Sequence, residues 1–146
     1  MIRAFRRHLA QRSVALICVA WLVASPAIAQ DPKATAAQAA ARDWLALADR
    51  SDAQACWNAA AKKFQAAMPA ASWADALAKV RTPLGPQKSR TISQTGFRNT
   101  FQDVPEGDYA VIVYVTNFAN KVRGQETVTL ERESDGKWRV LGYSIR

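Results

Sequence analysis

The hydrophobic period of this chain changes once, across Pro83-Leu84-Gly85-Pro86, and that change restricts the fold more than any other feature. Upstream, apolar residues recur every three and four positions; from Lys88 onward they alternate. The first spacing lines one side of a helix and the second one face of a strand. A chain that keeps its helical and strand halves apart cannot wind successive strand-helix-strand units. It has to lay helices against one face of an antiparallel sheet, an α+β layer arrangement.

Three helices are expected. In the first, Ala37, Ala41, Trp44 and Ala48 share a face, preceded by a short mobile leader at residues 30–36 that is polar and small. The second covers residues 52–68, with Trp57, Ala60, Ala61, Phe64 and Met68 facing inward, Ser51 and Gln54 in the form of a capping box, and Pro69 ending it. The third opens at Ser72, places Asp75 in its first turn, and buries Trp73, Leu77 and Val80.

Four strands follow. Residues 90–97 form the first, with Gly96 marking a bulge or an end. Residues 109–118 (YAVIVYVTNF) are dense in β-branched and aromatic side chains and belong in the sheet interior. Residues 126–133 put Val128 and Leu130 on one side and Thr127, Thr129 and Glu131 on a wet outer side, and Glu133 is expected in solvent with Glu131. Asp135-Gly136 then signals a hairpin into residues 137–145. A curved sheet roofed by helices leaves room for a pocket between the layers.

The N-terminus reads as an address. Arg3, Arg6, Arg7 and Arg12 precede the apolar run SVALICVAWLVAS, and Ala27 and Ala29 form a small-x-small cleavage site ahead of Gln30. That is a secretory signal removed after Ala29, its apolar run being shorter than the roughly 20 residues of a spanning helix. The destination is the periplasm or the medium. Removal of residues 1–29 takes four of the 20 basic residues and none of the 12 acidic ones, so the net charge falls from +8 to +4. Without a Lys/Arg cluster, that balance does not point to nucleic acid.

Residues 30–146 have the length of one domain. No second apolar stretch is long enough to span a membrane, and with only Cys56 left no internal disulfide is available. The remaining chain holds no histidine, since His8 lies in the signal. Serine and cysteine nucleophile systems built on histidine, His-ligated metals and thiolate metal sites are thereby excluded, and no cofactor motif is present.

What remains is a short set of candidates. Trp44, Trp57 and Trp73 either line an aromatic pocket or pack the core, and Trp138 joins them from the last strand. Arg81 and Arg90 bracket the helix-to-sheet connection, where they hold an anionic ligand or pair with a carboxylate and tie the layers together. Asp49 or Asp103 as base, with Tyr114 or Tyr143 as donor, would suit acid-base chemistry on a small apolar substrate. Asp52, Glu106 and Asp108 read as capping or loop residues, and Cys56 as a small buried hydrophobe.

Several runs form an ordered set. They are Ala41-Arg42-Asp43-Trp44-Leu45 through Asp49, then Trp57, Phe64, Trp73, Arg81-Thr82-Pro83-Leu84-Gly85 and Arg90. In the second half come Gly107-Asp108-Tyr109-Ala110-Val111, Phe118 to Lys121, Glu126-Thr127-Val128-Thr129-Leu130 and Asp135-Gly136-Lys137-Trp138-Arg139-Val140 into Gly142-Tyr143. Together they resemble the DUF4019 family of exported bacterial proteins, from about residue 37 to the end. The resemblance implies a cystatin-like or nuclear-transport-factor-2-like layout and supplies no catalytic residues. Three functions compete: a non-enzymatic module binding a small apolar or anionic ligand or an envelope protein, a pocket acid-base enzyme, and a homodimerising structural module. The last predicts an apolar patch around Ile112 and Tyr114 on the sheet face away from the helices.

Overall fold

In a computed structural model, residues 31–101 and 103–146 are described. The expected secretory signal and its expected cleavage after Ala29 lie outside them. Helices α1 (Pro32–Asp49), α2 (Ala53–Ala59), α3 (Lys62–Ala67) and α4 (Ala70–Arg81) come first, and a 3-10 turn (Thr82–Leu84) leads into the sheet. Strands β1 (Gln87–Arg98), β2 (Tyr109–Phe118), β3 (Lys121–Arg132) and β4 (Trp138–Ile145) form one antiparallel meander in sequence order. The α+β layering expected from the change of period is the observed one, and β2 lies inside the sheet.

Helix α1 starts earlier than its apolar stripe. Asp31 caps it through Lys33 N, Pro32 occupies the first turn, and residues 32–36 of the expected leader are helical. Lys33 then reaches across to Asp108 at 2.6 Å and lies over the Phe97 ring. These contacts, made by a polar side chain, hold a turn whose composition alone would leave it loose.

The expected second helix is two. Ala60 and Ala61 are extended, and Ala61 N donates to Val140 O of β4 at 2.8 Å. Helix propensity favours continuing through alanine, but here docking on the sheet wins. Side chains satisfy the exposed helix ends: Gln65 Nε2 donates to Trp57 O, Trp57 Nε1 donates to Met68 O, and Glu133 of the β3–β4 hairpin accepts from Lys62 N. Asp52, not Ser51, caps α2, because Ser51 has turned into the left-handed region with φ 58°.

Helix α4 opens at Ala70 after Pro69 and buries Trp73, Leu77 and Arg81 at four-residue steps. Val80, expected inside, is 42% exposed, because Arg81 takes the inward position. At the junction Gly85 has φ 72°, and Asn120 N and Ala119 N donate to Leu84 O and Pro86 O, bracing it on the β2–β3 turn.

The core lies between helices and sheet. Ala110, Ile112, Tyr114, Val128, Leu130 and Val140 meet Ala37, Ala41, Trp44, Leu45, Phe64 and Trp73. Ile112 and Tyr114 are therefore covered by the helices, contrary to the outward patch expected around them. The parity of β2 puts Val111, Val113 and Val115 on the other face, each half-buried. Glu131 also departs from expectation: it is buried and pairs with Lys63. Its partner in the register is Tyr109, over which Phe101 packs and whose hydroxyl donates to Pro105 O, so Phe101 and Pro105 close that end of the outer face. Glu133 is bound rather than solvated, to Lys62 N and Arg139.

Candidate functional site

Four charged residues occupy inward positions in four different elements. Asp49 follows Leu45 by four on α1, Arg81 follows Leu77 by four on α4, Arg90 shares parity with Ile92 on β1, and Glu126 shares parity with Val128 and Leu130 on β3. Folding brings them together. Arg90 makes a bidentate pair with Asp49 (2.8 Å to each oxygen) and binds Glu126 through Nε at 2.5 Å and Nη2 at 3.2 Å. Arg81 binds Glu126 Oε1 at 3.0 Å and also pairs with Asp49. Thr116 and Tyr143 donate their hydroxyls to Glu126, and Tyr143 accepts from Arg81.

Two arginines and two carboxylates leave the cluster with no net charge. Desolvation would penalise each ion several kcal/mol if alone, and the mutual pairing offsets it. Burial pushes the Asp49 carboxyl up, but hydrogen bonds and charge from Arg90 and Arg81 outweigh it and hold the group below its ordinary value. Burial likewise raises the Tyr143 phenol, and Glu126 beside it adds to the rise.

Against this cluster lies a cleft of about 530 Å³, between one flank of α1 and the β1 side of the sheet. Arg42, Ala46 and Asp49 line it at helical spacing from α1; Arg90, Thr91 and Ile92 line it from β1, and Tyr114 from β2. Arg42 and Ala46 are exposed. Tyr114 is 2% exposed, and its hydroxyl has no hydrogen-bond partner among the described residues. Such an orphan costs about 1–3 kcal/mol. Burial raises its pKa to about 12, against the opposing pull of Arg90 and Arg42, so at neutral pH it is a donor.

Of the other sequence candidates, Tyr143 belongs to the charge cluster through its hydroxyl, and the rest sit elsewhere. Trp44, Trp73 and Tyr143 pack together in the core, with Trp44 5.6 Å from Trp73 and 5.3 Å from Tyr143 between ring centres. Trp57 is half-buried with its indole spent on Met68 O. Trp44 and Trp73 thus belong to the core, and Trp44 also lines, with Trp138, a cleft of about 450 Å³ between α1 and β4. Asp103 lies in the loop before β2 with φ 63°, exposed and away from the cleft. Cys56 is buried, and burial first, then Asp52, pushes its thiol up to about 12.

Sequence reasoning missed Glu126, Thr116 and Arg42. A larger depression, about 570 Å³, separates α3 from the β3–β4 hairpin, and most of its charges are paired: Lys63 with Glu131, Arg139 with Glu133 and Asp135, and Arg132 with Asp108, while Lys62 has no ion-pair partner among the described residues. Among the described residues no acidic, cysteine or histidine cluster could hold a metal ion, and no helix is long and apolar enough to cross a membrane.

No curated protein and no solved structure matches the chain. A family model described as "Protein of unknown function (DUF4019)" matches residues 40–143, a span that contains the charge cluster and the cleft, and the chain belongs to that family.

Proposed function

We propose that this protein is an exported, non-enzymatic binding module that takes a small molecule into the cleft between α1 and β1. The observation that carries the reading is the state of the one carboxylate in the cleft wall. Both oxygens of Asp49 already accept from Arg81 and Arg90, and its proton affinity is lowered. A general base works best with a pKa near the operating pH, and the pairing moves Asp49 the other way. Catalysis by Asp49 with Tyr143 would require breaking the cluster that joins helices to sheet. Binding requires only the cleft, whose walls rest on that rigid cluster.

Export is supported by the arginines, the apolar run and the Ala-x-Ala site of residues 1–29. Mass spectrometry of the protein purified from its own host tests both parts. The denatured chain is expected to begin at Gln30, and a full-length mass overturns the cleavage after Ala29. The native spectrum is expected to show a small-molecule adduct that disappears in Ala46→Trp, which fills the cleft from its exposed flank. A bare wild-type chain, or an adduct indifferent to that substitution, overturns binding in the cleft.

A further inference from the structure

The cleft holds its polar groups in an asymmetric arrangement. On its inner side, Asp49 and Glu126 cancel Arg81 and Arg90, and Glu126 accepts from both arginines as well as Thr116 and Tyr143. At its outer side stands Arg42, an exposed guanidinium with no ion-pair partner among the described residues. The uncompensated charge of the cleft is therefore one positive charge. The Tyr114 hydroxyl, closed to solvent and unpartnered, adds a neutral donor. Between these polar groups the walls are apolar, supplied by Ala46, Ile92 and the Tyr114 ring.

A cation entering this space would meet Arg42 and Arg90 and find Asp49 already engaged by two guanidinium groups. A neutral ligand could take the tyrosine hydrogen bond but would leave Arg42 without a counter-charge. A multiply charged phosphate would bring more negative charge than one free guanidinium offsets. A singly charged planar carboxylate fits both donors, since guanidinium and hydroxyl can each serve one or both of its oxygens.

We infer that the cleft selects small monocarboxylates with a short apolar body, the carboxylate held by Arg42 and the Tyr114 hydroxyl and the body lying on Ala46 and Ile92. This rests on the binding reading above and specifies its ligand class. Arg42 is exposed and can swing over the entrance, while Tyr114 is fixed by its place on β2 opposite Ile92. Because the hydroxyl is shielded, the head group has to move the side chains covering it as it enters.

The test uses three probes of equal length, hexanoate, hexanamide and hexylamine, titrated into the isotopically labelled protein while its amide NMR signals are followed. Hexanoate is expected to shift amides at Arg42, Ala46, Thr91 and Ile92, to bind about tenfold more tightly than hexanamide, and to exclude hexylamine from the same signals. Arg42→Gln is expected to erase the preference for hexanoate over hexanamide. Tyr114→Phe should weaken hexanoate by about tenfold without lowering the melting temperature, since it removes an orphaned hydroxyl.

Equal binding of all three probes at these residues overturns the carboxylate class and leaves the cleft a binding site. Hexanoate binding that is indifferent to Tyr114→Phe and Arg42→Gln overturns the assignment of its head group. If no probe reaches the cleft, the carboxylate class falls; the native-mass adduct and its response to Ala46→Trp then decide the binding reading separately.

Discussion

Removing one charge from a balanced buried group differs from removing a surface charge, and Glu126 is where the difference is greatest. Its side chain is fully buried and accepts from Arg81, Arg90, Thr116 and Tyr143. Glu126→Gln leaves two guanidinium groups facing Asp49 alone and turns an acceptor into a donor pointed at them, with an expected loss of about 3–5 kcal/mol in urea unfolding. Adding Arg81→Met restores the balance, so the double variant should be more stable than the sum of the two losses by about 1–3 kcal/mol. Strict additivity would show that the two residues do not act as a pair. The signal for Glu126 was present in the strand pattern, since its parity is that of Val128 and Leu130. A charge on the apolar phase of a strand is readable; which charge answers it depends on pairing across four elements, and nothing local encodes that.

At the scale of elements, the strands were more legible than the helices. Strand β2 declares itself through uninterrupted β-branched and aromatic residues, and its observed limits are those expected. Helices α2 and α3 did not, because the break falls in Ala59-Ala60-Ala61, the sequence least able to announce one. The break depends on partners distant in sequence, Val140 for the Ala61 amide and Glu133 for the Lys62 amide at the start of α3. If Glu133 caps α3 in this way, Glu133→Ala should cost about 1 kcal/mol, as loss of a cap does, with some further loss from the Arg139 pair. Glu133→Gln keeps an acceptor oxygen and should recover most of it. Urea unfolding of the two variants separates capping from charge: equal losses would assign the whole effect to the ion pair with Arg139. The cleft follows the same pattern of legibility. Arg42, Ala46 and Asp49 stand at spacings of four and three, which marks a shared flank, but that β1 would lie beside it is a property of the assembled layers.

For the molecule as a whole, the charge cluster replaces apolar contact where α1, α4, β1, β3 and β4 converge, and this makes the union of helices and sheet dependent on pH. The Asp49 carboxyl has a folded-state pKa below its ordinary value of 3.8, so the unfolded chain takes up its proton first as the solution is acidified. Stability from this group is then complete above about pH 4 to 5 and is lost as pH falls through the folded value. Burial pulls both arginines down, but Tyr143 and Asp49 beside Arg81, and Asp49 and Glu126 beside Arg90, outweigh it, so both stay charged throughout and the dependence falls to Asp49. Asp49→Asn, which keeps the shape but not the charge, should be less stable than the parent at neutral pH, with the gap narrowing in acid. Urea midpoints of both proteins between neutrality and about pH 3 measure the gap directly. A gap that stays constant over that range would mean that Asp49 contributes through shape and hydrogen bonding alone, and the cluster would not be the acid-sensitive joint between the layers. A gap that closes would place the first acid-induced loosening at the inner end of the cleft, so a ligand seated on Arg42 and Tyr114 should also be released as the cluster gives way.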